Sequence, residues 1–174
     1  AWGQACGPLA AYADQPFVIV VGSGESEAAV TANRELARSF ISAWVDHAHG
    51  APPTVADRDF KPGDWSGRNL VLIGNPRSNH VLRDLVANGL RLPLTWDARS
   101  VRGLGVEMLR SEGRALALCW PHPAHDGRLL VVLDGAPAWT TDGLPMADLP
   151  DLVIGPPPGG TTPLLSQRFA CDWR

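Results

Sequence analysis

The sequence predicts an α/β fold: a central sheet with a parallel half, covered by helices, and an antiparallel addition at one edge. Two stretches carry the parallel half. Phe17 to Val21 and Asn69 to Ile73 are unbroken apolar runs, each followed at once by a glycine turn, Gly22-Ser23-Gly24 and Gly74-Asn75-Pro76. A strand that is apolar at every position must be covered on both faces, as in a parallel sheet packed between helices. The antiparallel addition comes from a change of grammar further on. Leu104 to Leu109, Ala115 to Trp120 and Arg128 to Leu133 are strand-like runs separated only by the short turns Ser111-Glu112-Gly113 and His125-Asp126-Gly127. Links that short join antiparallel neighbours and leave no room for a crossover helix.

The remaining elements follow in order. Residues 1–15 read as an irregular lead-in. A first helix is predicted from Ser26, its cap, to about Asp46, with Glu27 in its first turn. Its apolar face is Val30, Leu36, Ala37, Phe40, Ile41, Trp44 and Val45, at helical spacing. Pro52-Pro53 interrupts the chain, Thr54 to Ala56 makes a short strand, and Asp57 to Gly67 is a polar loop. After Ile73, Asn75 caps a second helix with Pro76 at its first position and Gly89 at its end. Val81, Leu82, Leu85 and Val86 are its inner face. Leu152 to Ile154 is a last strand, and 155–174 is an irregular tail rich in Gly and Pro.

The chain has 174 residues, 45% of them apolar, enough for one domain spanning 1–174 with its own core. Its formal charge is −3 and it has no basic run, which argues against a nucleic-acid partner. No apolar stretch reaches the about 20 residues that span a bilayer, so no membrane partner is expected. The opening Ala1-Trp2-Gly3-Gln4-Ala5-Cys6 reads as a piece cut from a larger protein. Cys119, in an apolar run, is expected to be a buried thiol. Cys6 and Cys171 lie near the two ends, and domain termini are often close in space. Either they form a bridge, worth up to about 5 kcal/mol in the chain-entropy account, or they are two unrelated thiols.

No motif of high specificity for catalysis is present. The Gly22-Ser23-Gly24-Glu25-Ser26 turn opens a helix, where backbone N–H groups can cradle a phosphate. Glu27 stands where the dinucleotide fingerprint has its third glycine, however, and two carboxylates would repel a pyrophosphate, so no cofactor is expected. In open α/β sheets ligands sit at the carboxyl ends of the strands. A small-molecule site would therefore use Ser23, Gly24, Asn75 and Asn79. The plain alternative is that Asn75 only caps its helix and Asn79 faces water. Cys119, His122, His125 and Asp126 are types that bind zinc, but their placement on a strand and a Pro-broken turn argues against a metal. Ser23 lacks the spacing of a nucleophile elbow.

Several pieces of the chain can be set together. They are Gly7-Pro8-Leu9 ahead of Pro16-Phe17-Val18-Ile19-Val20, the helix ending near Trp44, Asn69 to Pro76 with Asn79, Trp120-Pro121-His122-Pro123, Arg128 to Leu133, and the tail Phe169-Ala170-Cys171-Asp172-Trp173. Their order and spacing resemble the region that follows or flanks the hydrolase core in large secreted prolyl-oligopeptidase-like proteins of the α/β-hydrolase superfamily. The resemblance implies a Rossmann- or flavodoxin-like accessory domain, extracellular or periplasmic, whose partner is the catalytic domain of the parent protein, in cis or in trans. No catalytic residue of the superfamily maps onto a position here. His122 and Cys171 depart from the pattern, so the bridge would be peculiar to this chain. The expected function is thus a non-catalytic accessory or interaction domain. The alternative is a small-molecule or carbohydrate binder using the turns around Ser23 and Asn75, which a concave pocket lined by Trp65 or Trp96 would favour. A third reading, a small hydrolase, requires His122 or His125 beside Ser23.

Overall fold

The computed structural model describes residues 9–135, 150–156 and 161–169. Cys6 and Cys171 lie outside the described residues. The elements are a 3₁₀ helix at Leu9–Asp14, β1 (Phe17–Val21), α1 (Glu27–Ala48), β2 (Thr54–Ala56), β3 (Asn69–Ile73), α2 (His80–Ala87), β4 (Thr95–Trp96), β5 (Ser100–Gly103), β6 (Val106–Leu109), β7 (Leu116–Pro121), β8 (Leu129–Asp134), β9 (Leu152–Ile154) and β10 (Leu165–Gln167). Short 3₁₀ turns at Asp57–Asp59 and Pro62–Trp65 shape the loop between β2 and β3. Among the described residues no helix is long and apolar enough to cross a membrane.

Seven strands form one mixed sheet in the order β10-β9-β7-β8-β3-β1-β2. β2, β1, β3 and β8 run parallel to one another, and β7, β9 and β10 continue the sheet through antiparallel pairings. The two apolar runs lie side by side at its centre, with Phe17 opposite Asn69 and Val21 opposite Ile73. Both faces are covered. Phe17, Ile19, Val71 and Ile73 point to one core, shared with Leu36, Ala37 and Phe40 of α1. Val18, Val20, Leu70 and Leu72 point to the other, closed by Leu82 of α2 and by Leu94, Val101 and Met108. The period-2 alternation of a strand thus sends alternate residues of one apolar run into two separate cores.

Several expectations need correction. The lead-in is not irregular throughout: Tyr12 is fully buried against Phe17, at a ring-centroid distance of 5.1 Å. A six-residue 3₁₀ segment is too short to show a helical period. The tail includes β10, paired antiparallel with β9. Leu104 to Leu109 is not a neighbour of β7 but half of a hairpin in a separate three-stranded sheet, β4-β5-β6. The hairpin turn is Leu104-Gly105, with φ of 51° and 77°. Positive φ at both central residues is a primed turn, usually announced by Asn-Gly, and leucine in the first place hid it. Asn75 does not cap α2. Asn79 does, its side chain accepting from Leu82 N–H, and α2 begins four residues later than expected because 75–78 form a separate turn. Val45 and Val86, assigned to inner helix faces, are 36% and 40% exposed. Ser26 caps α1 and Cys119 is buried, both as expected.

The two glycine exits meet at one rim. Gly22 N–H donates to Ile73 O at 2.9 Å, and Gly74 N–H to Leu133 O at 2.7 Å. A methyl group on Gly22 would lie 2.5 Å from Ser78 O and 2.9 Å from Ile73 O, both backbone atoms that cannot step aside. Gly22→Ala should therefore cost about 2–3 kcal/mol of stability, whereas Gly63→Ala, with nothing within 4 Å of the added carbon, should stay within about 0.5 kcal/mol of the parent. Urea unfolding of the two variants measures the contrast, and equal midpoints would refute the close packing of the exits.

Candidate functional site

From β1 the chain passes through α1 to β2 on one side, then returns past β1 to β3 on the other. This reversal places Ser23, Gly24, Asn75 and Asn79 together at the carboxyl ends of β1 and β3, and their polar groups are engaged with protein. Asn79 is fully buried. Its amide donates to Val20 O and Ile73 O, both at 3.1 Å, while its carbonyl caps α2. It therefore does not face water. Asn33, on α1, donates to Gly22 O at 3.1 Å. Gly24 N–H donates to Ser78 O at 2.8 Å. Asn75 accepts from Arg77 N–H and donates to Asp134 Oδ1 at 3.1 Å, and Trp96 Nε1 donates to Asp134 Oδ2 at 3.2 Å. Burial pushes the Asp134 carboxyl above the ordinary aspartate pKa, against the opposing pull of Asn75, Arg110 and Trp96.

A roof of ion pairs lies over this rim. Glu25 takes both terminal nitrogens of Arg110, at 2.8 and 2.9 Å, and Nε of Arg77 at 2.8 Å. The Arg110 hydrogen bonds are the main cause holding Glu25 down at about 2; burial opposes them and Arg77 adds to them. Since Arg110 follows β6, this bidentate pair ties the small sheet to the β1 exit.

Ser23 donates its hydroxyl to Asp57 Oδ1 at 2.6 Å, and its N–H reaches the same oxygen at 3.1 Å. Arg58 N–H also bonds Oδ1, and His80 N–H bonds Oδ2 at 2.6 Å, with His80 Nδ1 3.4 Å from Oδ2. Burial by itself would raise the Asp57 pKa. The donors from His80 and Ser23 outweigh it, and the carboxyl sits below the ordinary value. A carboxylate stabilised in this way is a weak base, and it stands where a nucleophilic serine would need a histidine. His122 and His125 are not beside Ser23. They follow Pro121, which is paired with Leu129 at the opposite end of the strands from Val21 and Ile73. Among the described residues no group of three or more His, Cys, Asp or Glu is placed to hold a metal.

Beside the rim a cleft of about 570 Å³ runs along α2. Its upper end is bounded by Asp57 and His80, its inner wall by Phe60, Trp65, Leu70, Val81 and Leu85, and its lower end by His122 and His125. Arg68 lies 5.7 Å from the Trp65 ring centroid. The His122 and His125 rings are 4.6 Å apart. His122 Nδ1 accepts from Ala124 N–H, which leaves the ring proton on Nε2. Burial, with the neighbouring His125, lowers the His122 pKa to about 4. A second hollow of about 600 Å³, near Val86, Leu90 and Trp96, lacks such a convergence of ionisable groups.

Asp57 and His80 were not singled out in the sequence. Asp57 directly follows a strand, so the carboxyl-end rule used for the β1 and β3 exits would have found it if applied to β2 as well. His80 needed the true start of α2. No family model matches the sequence, and no curated protein matches it.

Two outcomes follow. Asp57→Asn removes a charged acceptor from the N–H groups of Ser23, Arg58 and His80, and should lower stability by about 2–3 kcal/mol, measured by denaturant midpoint; an unchanged midpoint would refute the anchoring role. For His122, the folded pKa lies below the unfolded value of about 6.5. The unfolded chain then binds the extra proton first, so stability is full above pH about 6.5 and declines as pH falls toward about 4. His122→Gln should flatten that part of the thermal midpoint-versus-pH curve, and a curve of unchanged slope would refute it.

Proposed function

We propose that the chain is a non-catalytic domain that binds a small molecule in the cleft between α2 and the 57–65 loop. One observation carries the reading: a concave, largely apolar cleft with Trp65 in its wall and ionisable groups at both ends, within the size range of small-molecule sites. Its upper end adjoins the reversal of strand order between β1 and β3, where open α/β sheets place their ligands. The order β2-β1-β3-β8 fits a flavodoxin-like sheet, and we read the fold as that type. Relative to the strand-end site expected from Ser23 and Asn75, the binding position moves one wall outward, because the rim groups are spent on internal hydrogen bonds.

A second reading is favoured by the engagement of Ser23 with Asp57. Any hydrolysis by a parent protein would need a nucleophile elsewhere, as in the accessory domain of a secreted prolyl-oligopeptidase-like hydrolase. Val86, Leu104, Leu109 and Leu164, large apolar residues left exposed, are then candidate docking residues.

The test is a titration of the labelled chain with a panel of small aromatic and sugar compounds, followed by amide chemical shifts. Ligand-dependent shifts should cluster at Trp65, His80, Val81 and His125, and Trp65→Ala should weaken the response at least about tenfold. Shifts confined to Ser23 and Asn75 would return the site to the rim, and no response to any compound would remove the binding reading.

A further inference from the structure

The charge pattern of the cleft points to the chemistry of its occupant; the argument rests on the reading of that cleft as a ligand site. Two acids border it, and each already has a partner in the protein. The Asp57 oxygens are taken by Ser23, Arg58 N–H and His80 N–H. Asp84 is paired with Arg83. Arg58 is different. Its side chain is at the exposed edge of the cleft, and its guanidinium has no hydrogen-bond or ion-pair partner among the described residues. This unspent cation stands beside an apolar wall in a chain whose formal charge is −3. A guanidinium offers a planar set of donors matched to carboxylate, sulfonate or phosphate oxygens. A cationic ligand would meet Arg58 and, as its one exposed acid, Asp84, whose charge Arg83 already answers, and a neutral polyol would leave the guanidinium unanswered.

We propose that the cleft takes a molecule with an aromatic or other apolar body and one anionic group, the body resting on Phe60, Trp65 and Leu85 and the anion meeting Arg58. The His80 ring, half-exposed and already beside Asp57, borders the same end. The body supplies buried area, and the charge pair selects among apolar molecules of similar shape.

Two fluorescent probes with the same aromatic body test this, used on the full chain: anilinonaphthalene sulfonate, which is anionic, and N-phenylnaphthylamine, which is neutral. The anionic probe should bind about tenfold more tightly than the neutral one, the difference expected of one charge-assisted contact. Arg58→Gln should erase that difference and leave the affinity for the neutral probe and the thermal midpoint unchanged. Trp65→Ala should weaken both probes, with Phe60→Ala as the second cleft variant in case the first does not fold. Equal binding of the two probes, or a difference that survives Arg58→Gln, overturns the anion inference and leaves the cleft as a site. Indifference of both probes to the cleft variants overturns the inference and the site together.

Discussion

The Asn79 carboxamide is the interaction on which the upper half of the molecule depends. One buried side chain takes up two strand carbonyls, Val20 O and Ile73 O, and caps α2 through its own oxygen. It therefore fixes the spacing of β1 and β3 and the start of the helix that walls the cleft. Its partners are carbonyls at the end of a sheet, buried away from water, and at Ile73 O the amide adds a second donor to the one that Gly22 N–H supplies. Asn33 repeats the device from the other face, reaching Gly22 O from α1. Two amides from helices on opposite sides of the sheet thus stitch the same strand ends, and there is room for that of Asn33 only because residues 22 and 74 carry no side chain.

The layered core was legible because it follows from a strong constraint. Runs such as PFVIVV and NLVLI have no face that tolerates water, so helices or other cover had to lie on both sides, and the two cores separated by residue parity confirm it. Strand ends were readable for the same reason, being marked by a change from apolar residues to glycine. The small sheet was less legible. Its strands are two to four residues long, too short for a clear alternation, and its tight turn uses a leucine at positive φ. Tyr12 was missed because a single aromatic in a 3₁₀ segment has no periodic neighbours to declare its face.

The site was legible by position and not by role. Ser23, Asn75 and Asn79 do gather at one rim, as their place after the strands required. What each does depends on partners distant in sequence: Asp57 for Ser23, Asp134 for Asn75, and two strand carbonyls for Asn79. A hydrogen bond between residues 34 or 59 positions apart leaves no local pattern. The cleft is harder still to read, since its walls come from a polar loop, one helix and a turn at the far end of β7, brought together only by the fold.

The bare α-carbons at positions 22 and 74 also bear on how such a domain can diversify. Their neighbours sit so near that drift in side-chain identity is closed off at the floor of the rim. Past the Asp57 anchor the 57–65 loop is open at Gly63, where an added carbon would meet nothing within 4 Å, and that loop and the 122–125 turn form much of the cleft. Descendants of this chain would acquire new chemical tastes by rewriting those segments around a retained Asp57 while inheriting the strand exits untouched.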